Sequence, residues 1–167
     1  MRFLIYGFKP YAGYKSNVSS EVMTSGIIRH EPVMHIFDVC FDYRMFATVL
    51  QQVEPDVILG LGQHPRARKL RLERKARNLM KVPGREITPV SIDGPPTIYT
   101  NLDLPQTTLT TRSYDAGSYV CNYSMYLAGE YCRGSSKRFG FIHIPKGYEC
   151  SLAGEYINHA IAEILSE

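Results

Sequence analysis

Cys121, His143 and Glu73 are the side chains of this sequence whose types and surroundings suit nucleophilic chemistry. Cys121 lies in Asp115-Ala-Gly-Ser-Tyr-Val-Cys-Asn-Tyr-Ser-Met-Tyr126. From it, Met125, Ala128 and Cys132 follow at i+4, i+7 and i+11, the apolar stripe of a helix. Asp115 and Ser118 are cap-forming residues, and Gly117 loosens the backbone between them, so the spacing predicts a turn and helix start over 115–118. Cys121 then falls in the first turn or so, where unpaired N–H groups and the helix dipole favour negative charge. A thiolate suits that place, and it is the nucleophilic form of cysteine. The same position also suits a small buried hydrophobe, the commoner fate of a free cysteine.

Phe139-Gly-Phe-Ile-His-Ile144 reads as a strand stopped by Pro145, with His143 near its C-terminal end, where sites of α/β folds assemble. His64, in the turn after Gly62, is the only other histidine placed for a site. His35 falls mid-strand, His30 near the end of a helix and His159 on the polar side of the last helix. Glu73 is the single acid among Arg66, Arg68, Lys69, Arg71, Arg74, Lys75, Arg77 and Lys81. A carboxylate among such cations keeps its charge and could orient a histidine. A salt-bridged surface glutamate is the plainer reading of the same residue.

Positioning these groups falls to a regular pattern. Phe3–Tyr6 is a short apolar strand ending at Gly7, followed by an aromatic loop, Phe8-Lys-Pro-Tyr-Ala-Gly-Tyr-Lys-Ser-Asn17. Loops after the first strand of an α/β sheet commonly line the ligand crevice, although Phe8 and Tyr11 would serve equally as lids on the core. Ser19 or Ser20 is placed to cap a helix carrying Met23, Ile27 and Ile28. Val33–Val39 reads as a strand, Asp42 as the cap of a helix with Phe46, Val49, Leu50 and Val53 inward, and Pro55–Gly62 as a fully buried strand. Leu70-x-Leu72-x-x-x-Ala76 suits a strand with a wet basic face, residues 82–111 read as loops and short strands, and Ser151–Leu165 as a closing helix. Alternating strands and helices predict an α/β three-layer sandwich, α/β/α, with a twisted, mostly parallel (mixed) central sheet, in a single domain over 1–167.

Composition narrows the function classes. The 167 residues are 44% hydrophobic and 21% charged, with a formal net charge of +3. That balance argues against a nucleic-acid binder, and the 66–81 run reads better as a solvated face than as a phosphate track. No apolar run reaches the length of a membrane span, and Met1–Gly7 is too short for a signal peptide, so a cytoplasmic location is expected. The four cysteines, Cys40, Cys121, Cys132 and Cys150, show no framework spacing and read as free thiols. Neither zinc spacing nor a phosphate-binding loop is present, so no metal or other cofactor is expected.

Four ordered segments carry a resemblance. Glu73-Arg-Lys-Ala-Arg-Asn78 has the form Glu-Arg-x-Ala-x-Asn, and Gly117-Ser-Tyr-Val-Cys-Asn-Tyr-Ser-Met-Tyr126 the form Gly-x-aromatic-aliphatic-Cys-Asn-x-x-Met-Tyr. Phe141-Ile-His-Ile-Pro145 supplies the histidine, and Gly7-Phe-Lys-Pro-Tyr-Ala-Gly13 with Asn17 and Ser19 is similar to a Gly-Phe-x-Pro-Phe-Gly-Gly opening. Gly60-Leu-Gly-Gln63 and Asp93-Gly-Pro95 agree as well. Together these resemble pyroglutamyl peptidase I, the pyrrolidone-carboxylate peptidases of the C15 cysteine peptidase family, along nearly the whole chain.

The resemblance implies an exopeptidase that removes the pyroglutamyl residue from N-terminally pyroglutamylated peptides. In it Cys121 would be the nucleophile, His143 the base and Glu73 the group orienting His143. Phe8 and Tyr11 would sandwich the lactam ring, and Gln63 would lie near its polar edge. A homo-oligomer, dimer or tetramer, is compatible with it. The chain also departs from the family pattern. Tyr11, Ala12 and Val18 stand where phenylalanine, glycine and proline are usual, and Arg71 where serine or threonine is usual. The stretch between Asn78 and Asp115 is contracted, and Arg85 is the nearest candidate in sequence for an arginine at the oxyanion site. A relative that binds pyroglutamyl ligands with impaired turnover is the alternative these departures raise.

Overall fold

The computed structural model describes residues 1–166. Its central sheet has six strands: β1 (Phe3–Phe8), β2 (Val33–Phe37), β3 (Val57–His64), β4 (Leu70–Glu73), β7 (Thr110–Ser113) and β8 (Arg138–Pro145). They lie in the order β2-β1-β3-β8-β4-β7. The β2-β1-β3-β8 block is parallel, β4 runs antiparallel to β8, and β7 is parallel to β4. The sheet is therefore mixed and mostly parallel. A separate antiparallel ribbon joins β5 (Lys75–Arg77) to β6 (Thr97–Tyr99).

Strand alternation sends side chains to two cores. Ile5, Leu59, Leu61, Ile142 and Ile144 meet α1 (Val18–Thr24) and α4 (Cys150–Ser166) through Val22, Met23, Ile157 and Ile161. Leu4, Tyr6, Phe8, Phe139 and Phe141 face α2 (Tyr43–Val53) and α3 (Val120–Cys132) through Phe46, Val49, Met125 and Ala128. A sheet covered on both faces explains why β3 and β8 are continuously apolar rather than alternating. No helix of the described residues is long and apolar enough to cross a membrane.

Several local expectations need correction. α1 is capped by Asn17, whose side chain accepts from Ser19 N at 3.1 Å, and not by Ser19 or Ser20. Both serines lie inside the helix, where Ser19 is held by Asn17 Oδ1 and lies against Phe8. α1 ends at Thr24, so Ile27 and Ile28 pack from the following turn, which Gly26 opens with a φ of +75°. Asp42 does cap α2, accepting from Arg44 N and Met45 N. β2 stops at Phe37, two residues short of Val39. The basic segment is two strands: its chain leaves the sheet at Arg74, so Leu72 and Ala76 pack in different cores. α3 is buried on more than the expected stripe, because Asn122, Tyr123, Ser124, Tyr126, Leu127 and Gly129 are buried as well.

Candidate active site

His143 sits near the C-terminal end of β8, between Gly62 on β3 and Arg71 on β4 in the strand registers. Residues two apart share a sheet face, so Arg71 and Glu73 point the same way, and Glu73 meets His143 on the α3 side. Glu73 Oε1 lies 2.8 Å from His143 Nδ1, and both residues are buried, at 1% and 4% exposure. That carboxylate fixes the ring orientation, and the ring and the Cys121 sulfur stand side by side over Gly62 in the cleft. Burial alone would depress His143. The charge and hydrogen bond of Cys121, with those of Glu73, outweigh it and raise His143 to about 9.

Cys121 is half-buried in the first turn of α3. The cap expected from Asp115–Ser118 is displaced: the N-cap is Tyr119, and no side chain bonds the helix start. Asp115 instead closes the turn before it, accepting from Gly117 N at 3.0 Å and pairing with Arg77 at 2.9 Å. Gly117 takes a φ of +83°, which glycine adopts without strain. The first-turn N–H groups therefore remain available beside the sulfur. Asn122 anchors the helix from behind, exchanging bonds with Arg77 N and O and with Leu79 O. Gly62 makes room for the thiol, since a Cβ there would stand 2.7 Å from Cys121 Sγ.

These groups open into a cleft of about 490 Å³, lined among others by Tyr11, Gln63, His64, Arg71, Tyr119, Cys121 and His143. The Gln63 side chain is anchored by Val18 N at Oε1, 3.1 Å, while its buried Nε2 has no hydrogen-bond partner. Tyr11 stacks against Tyr119 with ring centroids 6.3 Å apart, and burial with the nearby Cys121 pushes its phenol up to about 12. Phe8 does not line the cleft. It is 2% exposed, with its ring among Tyr6, Phe37 and Phe46 on the sheet face behind. The aromatic neighbour of Tyr11 is Tyr119, a residue not singled out above although its place two residues before Cys121 is the signal that could have found it.

The model of the Peptidase_C15 family, pyroglutamyl peptidase, matches residues 1–154. The chain belongs to this family. A pyrrolidone-carboxylate peptidase of Saccharolobus islandicus (strain L.S.2.15 / Lassen #1) is 28% identical over 169 residues, covering 87% of this chain and 79% of the relative. One from Vibrio vulnificus (strain YJ016) is 29% identical over 165 residues, covering 86% and 78%. Among solved structures, a mutant pyrrolidone carboxyl peptidase (E192Q) from Pyrococcus furiosus superposes with a TM-score of 0.86 at 24% identity, over 100% of this chain and 99% of that one. The fold is thus that of the pyrrolidone carboxyl peptidases, and membership places the chain among cysteine peptidases of the pyroglutamyl-peptidase type.

His64 is the last residue of β3 rather than part of a turn, and it lines the cleft. Its ring lies 5.3 Å from that of His143, and burial, His143 and Arg71 together depress it. Arg85 does not line the cleft; Arg66 and Arg71 are its arginines.

Proposed function

We propose that this chain hydrolyses the amide bond after an N-terminal pyroglutamyl residue, with Cys121 as nucleophile, His143 as acid and base, and Glu73 as the orienting carboxylate. The observation that carries this reading is the buried contact of His143 Nδ1 with Glu73 Oε1 at 2.8 Å, beside a half-buried cysteine at an uncapped helix start. Family membership supports the substrate class.

The lactam ring is flat and lacks a free amine, so it suits an aromatic wall and one or two amide hydrogen bonds. Tyr11 and Tyr119 supply the wall, and the unpartnered Gln63 Nε2 supplies a donor to a ring carbonyl. The Cys121 thiolate attacks the pyroglutamyl carbonyl carbon and forms the C–S bond, while first-turn N–H groups of α3 hold the oxyanion. Collapse breaks the C–N bond as imidazolium His143 protonates the departing amine. Neutral His143 then takes a proton from water, which attacks the thioester, breaks the C–S bond and releases pyroglutamate. The thiolate and imidazolium are restored.

A pyroglutamyl fluorogenic amide tests this directly. Wild type should cleave it, and Cys121→Ala should lose on the order of 10³-fold or more in kcat. No cleavage by wild type, or equal cleavage by both, contradicts the proposal. Protection against heat by pyroglutamate without any cleavage would instead favour the impaired, ligand-binding relative.

A further inference from the structure

Arg71 stands across the β4–β8 ladder from His143 and lines the cleft, yet the chemistry above makes no use of it. Every nitrogen of its guanidinium is engaged. Nε donates to Glu73 Oε1 at 3.0 Å, and Nη1 lies 3.1 Å from His64 Nε2. Nη2 donates to Ser113 Oγ and, at 2.9 Å, to the carbonyl of Asp115. Glu73 Oε1 therefore serves both Arg71 and His143, while Oε2 is buried with no hydrogen-bond partner. A carboxylate gripped through one oxygen depends on both donors for its orientation, and one of those donors must turn over a proton.

With thiolate and imidazolium formed, Cys121 and Glu73 each carry one negative charge, and His143 and Arg71 each one positive. The set of four is neutral only when Arg71 is counted. His143 is faced by Cys121 from α3, Glu73 and Arg71 from β4, and His64 from β3. Farther out, Arg66, Asp115 and the phenols of Tyr11 and Tyr119 lie at the cleft, and Asp115 is paired with Arg77. Arg71 is thus the permanent cation bonded to the carboxylate that holds this group.

We propose that Arg71 is a positioning residue of the reaction, resting on the assignment of Cys121, His143 and Glu73 above. It aims the Glu73 carboxylate at His143, ties that carboxylate to the cleft rim at Ser113 and Asp115, and balances the site so that the imidazolium remains acidic enough to protonate the leaving amine. Removing the cation leaves a net negative site, which holds protons more tightly.

The test compares wild type, Arg71→Met and Arg71→Lys for kcat and KM on a pyroglutamyl anilide across pH, with the pH dependence of iodoacetamide alkylation at Cys121. Arg71→Met should lose about tenfold or more in kcat with a smaller change in KM. Both limbs of its kcat/KM profile should move to higher pH, by about one unit. Arg71→Lys should keep the limbs in place and lose kcat, because it keeps the charge without the fork to Ser113 and Asp115. Limbs of Arg71→Met that coincide with wild type overturn the proposal, as does an Arg71→Lys profile displaced equally. If thermal melts show Arg71→Met unfolded, Arg71→Lys bears the test: unmoved limbs support the proposal and displaced limbs overturn it. A wild type that alkylates with the expected profile but cleaves no pyroglutamyl amide counts against the function proposed above, and the alkylation profiles of the variants still decide the role of Arg71.

Discussion

Gly62→Ala should disable the thiol while sparing the fold. The added Cβ would lie 2.7 Å from Cys121 Sγ, 2.9 Å from Phe141 Cζ and 3.1 Å from His143 Cδ2. Non-bonded carbon and sulfur settle near 3.7 Å, so the sulfur must yield by about 1 Å. Phe141 is fully buried, and His143 is held by Glu73, whereas Cys121 turns about a single side-chain torsion beside an open cleft. The sulfur therefore moves. A displacement of about 1 Å from attacking geometry costs about 100-fold in rate. Overpacking of one methyl costs about 1–3 kcal/mol of stability, so the protein stays folded. The assay is kcat/KM on a pyroglutamyl amide alongside a thermal melt. Gly7→Ala is the matched control, since its Cβ would meet another sulfur, Met23 Sδ, at 2.7 Å on the opposite face of the sheet. It should lose comparable stability and keep most activity. Full activity in Gly62→Ala, or equal losses in both variants, would refute the placement of the thiol against Gly62.

Other outcomes follow from the same contacts. Because His143 is raised to about 9, the imidazolium persists well above the 6.5 of a free imidazole, and kcat/KM should fall as pH rises through about 9. The stability this pairing contributes is complete below about 6.5 and lost as pH rises through 9, which urea titrations at several pH values would read. Asn122→Ala removes one acceptor and two donors serving partly buried backbone at Arg77 and Leu79, and should cost about 3 kcal/mol, seen as a clearly lower Tm. Tyr6→Phe deletes the hydroxyl that donates to Ser124 Oγ at 3.0 Å, and should cost about 1 kcal/mol with little change in kcat.

The layered fold was legible because its signals are local. Asp42 caps a helix from its own sequence, and β3 and β8 announce burial on both faces by unbroken apolar runs. Cys121 and His143 were legible because each sits at an element end where sites gather. Glu73 was legible only in part, since its pairing with His143 depends on β4 running antiparallel beside β8, a register set by residues 70 positions apart. Arg71 shows the same limit more strongly. Its bonds reach β3, β4 and the loop after β7 at once, so a sequence reading sees an odd residue in a basic run and not a hub. Phe8 erred the other way: a strand-end aromatic can face cleft or core, and alternation along β1 sends it to the aromatic cluster around Phe37 and Phe46. Asn17 displaced the serines as the cap of α1 because its side chain also holds the Lys9 carbonyl, tying the aromatic loop to the helix start.

The most direct measurement is the intact mass of the protein rapidly quenched during turnover of a pyroglutamyl amide, followed by peptide mapping. The account predicts a transient gain of one pyroglutamyl acyl group, located on Cys121 and absent in Cys121→Ala. Turnover in which the acyl group is carried by Cys40, Cys132 or Cys150, or in which Cys121→Ala cleaves as fast as wild type, would contradict it.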